Sequence, residues 1–248
     1  MKIFIDVGGH VGETVEAVLD PGYGFEKIYS FEPVRSCAEA IRAINGRRLV
    51  VIEAGLSNSD REALIFGAGS VGASIYQDHP DATGRAERCY FLDAAKWFRE
   101  NLSTGDRVYM KLNCEGSECD ILENLLDSGE YSKITQVMID FDARKIPSQR
   151  DRVESLKRRL ETQGYTNFSF PEELMYGTGS HFGGIRNWLN KKGARDGSTR
   201  EWFRSLKYHV ANLRKRKQMQ FYKLKVLRLT PKPIVDFYYA RIKKNLQG

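Results

Sequence analysis

Short apolar runs alternate with amphipathic segments over the first 170 residues of this 248-residue chain. Each run is rich in β-branched and aromatic residues, as expected of buried strands. We predict the main strands at residues 2–7, 27–31, 49–53, 107–113 and 134–141. The segments between them repeat apolar residues every three or four positions, which is typical of amphipathic helices. The alternation predicts an α/β protein with a mostly parallel sheet and helices on both faces.

Three further segments complete the predicted organisation. Residues 54–68 interrupt the alternation, and we expect a short β excursion there, followed by a Gly/Ser-rich loop at 69–74. Residues 165–170 are predicted to form a last strand. Residues 177–184, with the sequence GTGSHFGG, are predicted to be a flexible segment that carries His181.

A glycine-rich turn follows the first strand. Residues 6–12 have the sequence DVGGHVG, and helical periodicity resumes at Glu13. This order predicts a strand, turn and helix, with the helix N-terminus facing whatever lies on the turn. The second strand ends at Phe31 and is followed by Glu32. In α/β nucleotide-binding proteins an acid at this place accepts hydrogen bonds from ribose hydroxyl groups.

The glycine spacing narrows the choice of cofactor. Gly8, Gly9 and Gly12 do not form the pattern that holds a dinucleotide pyrophosphate. S-adenosylmethionine, which has a ribose and an adenine but no phosphate, fits the turn better. In such a site Asp6 and the glycine backbone would hold the amino-acid end, and Glu32 would hold the ribose. The alternative is that Asp6 caps the loop and Glu32 is a solvated acid.

Three stretches resemble the motifs of one enzyme family. They are IDVGGHVGET at 5–14, SFEPV at 30–34 and YMKLNCEGSECDIL at 109–122. In this order they resemble the FkbM family of S-adenosylmethionine-dependent methyltransferases, and the resemblance covers about residues 3–170. It implies a Rossmann-like methyltransferase fold and O-methylation of sugars or other hydroxylated compounds.

The resemblance also implies roles for individual residues. The cofactor-binding residues carried over by position are Asp6, Gly8, Gly9, His10, Gly12, Glu32 and Asn113. Two of them depart from the family pattern, because His10 stands for the usual Asn and Asn113 for the usual Asp. The second change removes a carboxylate that could act as a base or metal ligand, and we therefore predict no bound metal.

An acceptor hydroxyl must lose its proton during methyl transfer, which calls for a general base. The candidate catalytic residues are Glu115, Asp140 and His181, with Asp142 as an alternative to Asp140. For Glu115, an equal interpretation is an acid stabilised by a helix N-terminus. For His181, the alternative is a solvated loop histidine.

Charge is distributed unevenly along the chain. Residues 199–248 contain fourteen Lys and Arg but two acids, a formal charge of +12, which leaves −5 for residues 1–198 of a chain with net charge +7. We predict a methyltransferase domain at 1–190 and a basic amphipathic helical extension at 191–248. Aromatic residues interleaved with Lys and Arg favour peripheral contact of the extension with an anionic membrane.

These observations predict an O-methyltransferase that acts on a sugar, glycan or similar small molecule. The alternative is an RNA-binding protein or RNA methyltransferase with the basic extension as its docking arm. An inactive relative kept for interaction is a third possibility, suggested by Asn113 alone. The four cysteines form no C-x-x-C pair, which argues against a zinc site, and the chain begins in a core strand. We therefore expect a cytoplasmic protein, peripheral at the membrane through residues 199–248.

Overall fold

The structure is a computed structural model that describes residues 1–81, 83–174, 178, 180–195, 205 and 208. Backbone contacts divide the chain into two compact units, Met1–Glu201 and Trp202–Gly248. All elements described below belong to the first unit. Apart from residues 191–195, 205 and 208, the predicted basic helical extension lies outside the described residues, and the expected boundary at residue 190 stays a prediction.

The first unit is an α/β structure. Its strands are β1 Lys2–Val7, β2 Lys27–Phe31, β3 Leu49–Ile52, β4 Gly55–Ser57, β5 Arg61–Ile65, β6 Glu87–Asp93, β7 Arg107–Leu112, β8 Ile134–Ile139 and β9 Phe168–Ser169. Its helices are α1 Glu13–Val18, α2 Arg35–Arg42, α3 Ala94–Asn101, α4 Glu118–Asp127, α5 Arg150–Thr162, α6 Pro171–Leu174 and α7 His181–Lys191.

Six strands form the central sheet in the order β3-β2-β1-β7-β8-β9, and every pairing in it is parallel. This confirms the predicted α/β class and parallel sheet, and the order is compatible with a Rossmann-like fold. Strands β4, β5 and β6 form a separate small sheet, as expected of the β excursion. Within it β6 pairs parallel with β4 and antiparallel with β5.

Alternation along β1 explains why both faces of the sheet are covered. Ile3, Ile5 and Val7 face one side and belong to a core cluster with residues of α3, α4 and α5. Phe4 faces the other side, where its ring lies 6.4 Å from that of Trp188 on α7. All these β1 residues are buried, so the strand is apolar on both faces.

Two predicted segments are wrong in detail. The expected strand at 165–170 is reduced to Phe168–Ser169. The expected flexible segment at 177–184 is wrong for residues 181–184, because His181 begins α7. The Ser180 hydroxyl accepts a hydrogen bond from the Gly183 N–H and caps this helix, whose apolar face is buried. Gly and Ser therefore mark a helix start here and not a loop.

No helix in the described part of the chain combines the length and apolar character needed to cross a bilayer.

Candidate functional site

The site residues predicted from the sequence lie mainly at one edge of the central sheet. Strands β2, β1, β7 and β8 are neighbours and parallel, so their carboxyl ends meet at the same edge. The segments that follow these strands therefore face a common space. In open α/β sheets this edge is where ligands bind.

The glycine turn after β1 is fixed by its own backbone and by the neighbouring strands. The N–H groups of Gly8 and Gly9 both donate to the carbonyl oxygen of Phe31, at 3.1 and 3.0 Å. Gly8 has a φ of 81°, and a Cβ there would overlap the carbonyl oxygen of Asn113. Gly12 has a φ of 89°, again in the left-handed region. These glycines are required because the protein packs closely around the turn.

A buried ion pair lies beneath this turn. Asp6 is fully buried, its Oδ1 lies 3.3 Å from the ammonium of Lys111, and its Oδ2 accepts from the Ser30 hydroxyl at 3.2 Å. Lys111 also donates to the carbonyl oxygen of Gly8 at 2.7 Å. Burial raises the pKa of Asp6, and the Lys111 charge opposes that rise. Asp6 thus supports the turn from below, a different role from the direct ligand contact expected from the sequence.

Glu32 connects the ends of the first two strands. Its Oε2 accepts from the His10 N–H at 2.7 Å and its Oε1 from the Val34 N–H at 2.9 Å. The side chain is 6% exposed, and burial raises its pKa to about 7. The alternative of a solvated strand-end acid is therefore wrong. His10, which stands at the usual Asn position, has a left-handed φ of 46° and contributes its backbone N–H to this bond.

The second group of polar residues follows β7 and β8. The Asn113 amide donates to Asp140 Oδ2 at 3.1 Å, and Arg144 donates to Asp140 Oδ1 at 2.9 Å. Burial raises the pKa of Asp140, with a further rise from nearby Asp142 and an opposing effect of Arg144. The side chain of Asp140 is 21% exposed, so it remains accessible.

Glu115 lies in a denser cluster of charges. Its side chain is 13% exposed, and its backbone has a φ of 55°, an uncommon conformation for a residue other than glycine. Burial, followed by the negative charge of Asp142, raises the pKa of Glu115 to about 9. Asp142 is itself buried and pairs with Lys145 at 2.5 Å. Burial and the charge of Asp142 therefore both favour the protonated form of Glu115.

The acid at the start of α4 is Glu118 and not Glu115. Glu118 is fully buried and accepts hydrogen bonds from the backbone N–H groups of Cys114, Gly116 and Ala143. Burial raises its pKa to about 7. The Glu118 carboxyl therefore joins the segments after β7 and β8. The acid stabilised by a helix N-terminus, which the sequence suggested for Glu115, is Glu118 instead.

The loop between β5 and β6 forms one wall of this cluster. The Ser74 hydroxyl donates to the carbonyl oxygen of Glu115 at 2.6 Å, and the Tyr76 hydroxyl donates to Asp120 at 3.1 Å. His79 Nδ1 accepts from a backbone N–H, and its Nε2 lies 3.2 Å from Glu115 Oε2 without hydrogen-bond alignment. Burial lowers the pKa of His79.

Ser74, Tyr76 and His79 were missed by sequence reasoning. No local motif marks them, and they reach Glu115 only because the 21-residue loop between β5 and β6 returns to the sheet edge. The one available signal was the interruption of the strand and helix alternation between β4 and β6.

His181 contacts the helix that follows the glycine turn. Its Nε2 is 2.9 Å from the hydroxyl of Thr14, a buried residue in the first turn of α1. The solvated loop position is therefore wrong, and the contact gives His181 a role in joining α7 to α1. The structure brings Glu115 and Asp140 to the same sheet edge, whereas His181, at the start of α7, contacts α1, the helix that follows the glycine turn.

A cavity of about 260 Å³ opens at the end of β8. It is lined by Ile139, Phe141, Arg144, Lys157, Phe170 and Glu172. Within the described residues, no three His, Cys, Asp or Glu side chains are grouped closely enough to hold a metal ion.

Comparisons with protein-family models, with curated proteins and with solved structures found no match to this chain. The resemblance to the FkbM family therefore stays a prediction.

Proposed function

We propose that this protein is an S-adenosylmethionine-dependent O-methyltransferase with a Rossmann-like methyltransferase fold, related to the FkbM family. The observation that carries the proposal is the hydrogen bond from the His10 N–H to Glu32. It joins the glycine turn after β1 to an acid at the end of β2, which is the arrangement that a nucleoside-binding site needs.

The chemistry of Glu32 fits a ribose. A carboxylate has about four lone-pair positions, and the two backbone N–H donors leave others for hydroxyl groups. Hydroxyl donors favour the ionised form, so binding would lower the pKa of Glu32 from about 7. Binding at pH 7 should therefore release a fraction of a proton. Calorimetry detects this release as a binding enthalpy that changes with the ionisation enthalpy of the buffer.

Asp140 is the best candidate for the general base. S-adenosylmethionine would supply a methyl group already activated by its sulfonium. The chain's task is then to orient the acceptor hydroxyl in line and to take its proton as the new O–C bond forms. Asp140 is more exposed than Glu115 and is oriented by Asn113 and Arg144, whereas burial and the charge of Asp142 raise the pKa of Glu115.

Calorimetric titration tests the cofactor. We expect S-adenosylmethionine and its demethylated product to bind to the full-length protein, and NAD to give no heat. Binding of NAD without binding of either sulfur nucleoside would contradict the proposal. Transfer of a labelled methyl group to hydroxylated acceptors tests the reaction class.

We also propose that residues 199–248 bring the enzyme to an anionic membrane that carries its acceptor. The support is their formal charge of +12 beside a segment of −5. Near an anionic leaflet each basic residue contributes about 1 kcal/mol, so engagement of a few gives salt-sensitive binding. Reversing the four charges at 214–217 to Glu in the full chain should abolish sedimentation with anionic vesicles. Equal sedimentation of the wild type and the charge-reversed variant would contradict membrane binding by this segment. Tight RNA binding by the wild type would favour the RNA alternative.

A further inference from the structure

The turn that follows β7 has a backbone conformation that needs support from outside the turn. Glu115 and Gly116 have left-handed φ values of 55° and 118°, and the first is uncommon for a residue with a side chain. Such a turn keeps its shape only where surrounding groups hold it. The Glu118 carboxylate does so, because it accepts from the Gly116 N–H at 3.0 Å and from the Cys114 N–H at 2.9 Å.

The bond to Cys114 fixes the peptide unit between Asn113 and Cys114. Glu118 accepts from the N–H of this unit. The carbonyl oxygen of the same unit belongs to Asn113 and lies so close to Gly8 that a Cβ on that glycine would be 1.9 Å away. The peptide unit is planar and is held on both sides, which limits the directions in which the Asn113 side chain can leave the backbone.

The Asn113 side chain takes a direction that leads to Asp140. Its amide donates to Asp140 Oδ2 at 3.1 Å. Glu118 also holds the chain that carries Asp140, because its Oε2 accepts from the N–H of Ala143, three residues further on, at 3.2 Å. One carboxylate therefore fixes both the segment of the donor and the segment of the acceptor.

Glu118 itself is placed to act only through these neighbours. Its side chain has no exposed surface, whereas that of Asp140 is partly exposed. A ligand at the sheet edge can therefore meet Asp140 but not Glu118. An N–H donor stabilises the ionised form of a carboxylate, so the bond from Asn113 favours ionised Asp140.

We propose that Glu118 is a positioning residue, which sets the hydrogen bond from Asn113 to Asp140 and thereby keeps Asp140 able to accept a proton. The inference rests on the proposed function for its catalytic meaning, because Asp140 is the general base there. The hydrogen bond itself can be tested without cofactor or acceptor.

Carbon-13 NMR of the full-length protein measures the pKa of Asp140, whose carboxyl signal is assigned by its loss in Asp140→Asn. Asn113→Ala removes the donor and should strengthen proton binding by Asp140 about tenfold, the effect of one hydrogen bond to a charged group. Glu118→Asp should act in the same direction. It keeps the negative charge but is one methylene too short to hold all three N–H groups.

The other charges of this region stay in place in both variants. They are Asp142, Arg144 and Lys145 in the turn after β8, Glu172 on α6 and Glu115 after β7. Glu123→Asp is the matched control, because Glu123 also lies on α4 but pairs with Arg152 at 2.7 Å. It should leave the pKa of Asp140 unchanged.

The double variant shows whether Glu118 acts through Asn113. Once Asn113→Ala has removed the amide, Glu118→Asp should have no further effect on Asp140. No rise of the Asp140 pKa in Glu118→Asp, or an equal rise with and without the amide, would overturn the proposal.

Glu118→Gln is a second variant of the same length, with one acceptor oxygen for three N–H groups. Loss of the negative charge alone would lower the pKa of Asp140, so a rise again reports the contact with Asn113. An unchanged or lowered pKa would contradict the proposal. Loss of the folded structure in both Glu118 variants would also overturn it, because the role of Glu118 would then be structural alone.

Methyl-transfer assays separate this inference from the proposed function. If both are correct, the rising limb of the pH–rate profile moves to higher pH in Glu118→Asp, together with the pKa of Asp140. An active enzyme whose Asp140 pKa ignores Glu118 would refute the inference and leave the function standing. Coupling of Glu118 to Asp140 in a protein without methyl transfer would refute the function and leave the positioning contact standing.

Discussion

The two halves of the sheet edge hold their polar residues in different ways. On the glycine-turn side, Glu32 accepts from two backbone N–H groups and Lys111 neutralises Asp6, so each acid has a designated local partner. On the acidic side, Glu115 and Asp142 share a buried space with one lysine, Lys145. The first half gives each acid its own fixed partner, whereas the second crowds two acids around one cation, which adds to the effect of burial in raising the pKa of Glu115.

The largest expected effect concerns the fixed half. Lys111→Met leaves Asp6 buried without its cation, which should lower the free energy of unfolding by about 3–5 kcal/mol. Adding Asp6→Asn removes the stranded charge and should restore part of that stability. Urea unfolding of the single and double variants measures both effects.

Lys96→Met serves as the control, because the pair of Lys96 with Asp60 is exposed and its loss should change little. Equal stability of Lys111→Met and of the double variant with Asp6→Asn would contradict the account, because it would mean that Lys111 does not compensate the buried charge of Asp6.

The next effect concerns the shape of the turn. Gly8→Ala places a methyl group against the Asn113 carbonyl oxygen, whereas Gly129→Ala has an almost equal φ of 78° but no atom nearby. Both variants therefore carry the same backbone strain, but only at Gly8 does the added methyl group overlap another atom. We expect Gly8→Ala to be about 2–3 kcal/mol less stable than Gly129→Ala. Similar thermal unfolding of the two variants would show that the close approach is unimportant.

A smaller effect should distinguish the acidic half by its pH dependence. The pKa of Glu115 rises from an ordinary 4.5 to about 9 on folding, so the folded chain binds more protons than the unfolded chain between these values. Its contribution to stability is complete below pH 4.5 and is lost as the pH rises through 9.

Glu115→Gln removes this titration. Relative to that variant, the wild type should lose unfolding free energy steadily between pH 5 and pH 9, because Glu115 gives up its proton at lower pH in the unfolded chain than in the folded one. Urea unfolding across this range measures the difference, with the exposed Glu154→Gln as control. A constant difference between wild type and Glu115→Gln at all pH values would mean that Glu115 is ionised throughout.

The same contrast explains what could be predicted from the sequence. The parallel sheet, the glycine turn and Glu32 follow from short segments whose pattern is local, and the structure brings them together. The roles of His79, Lys145 and Tyr76 depend on a long loop and a turn after β8 that meet only in the folded chain. Asp6 shows the limit of motif reasoning, because burial and Lys111 direct its carboxylate into the protein.

The prediction of a flexible segment at 177–184 was wrong at residues 181–184 for a different reason. Gly183 and Gly184 favour a loop by their intrinsic propensity, but Ser180 caps the helix and the buried residues Ile185, Trp188 and Leu189 stabilise it. Tertiary packing therefore determines the structure around His181.

The central claim is that the Glu32 side of the edge binds a nucleoside through its ribose. Calorimetric titration of S-adenosylmethionine into Glu32→Gln and Glu53→Gln tests it directly, since Glu53 follows β3 as Glu32 follows β2 but is 38% exposed. With both variants folded by circular dichroism, we predict about tenfold weaker binding for Glu32→Gln and wild-type affinity for Glu53→Gln. Equal affinity of wild type and Glu32→Gln, or no binding by the wild type, would contradict the claim.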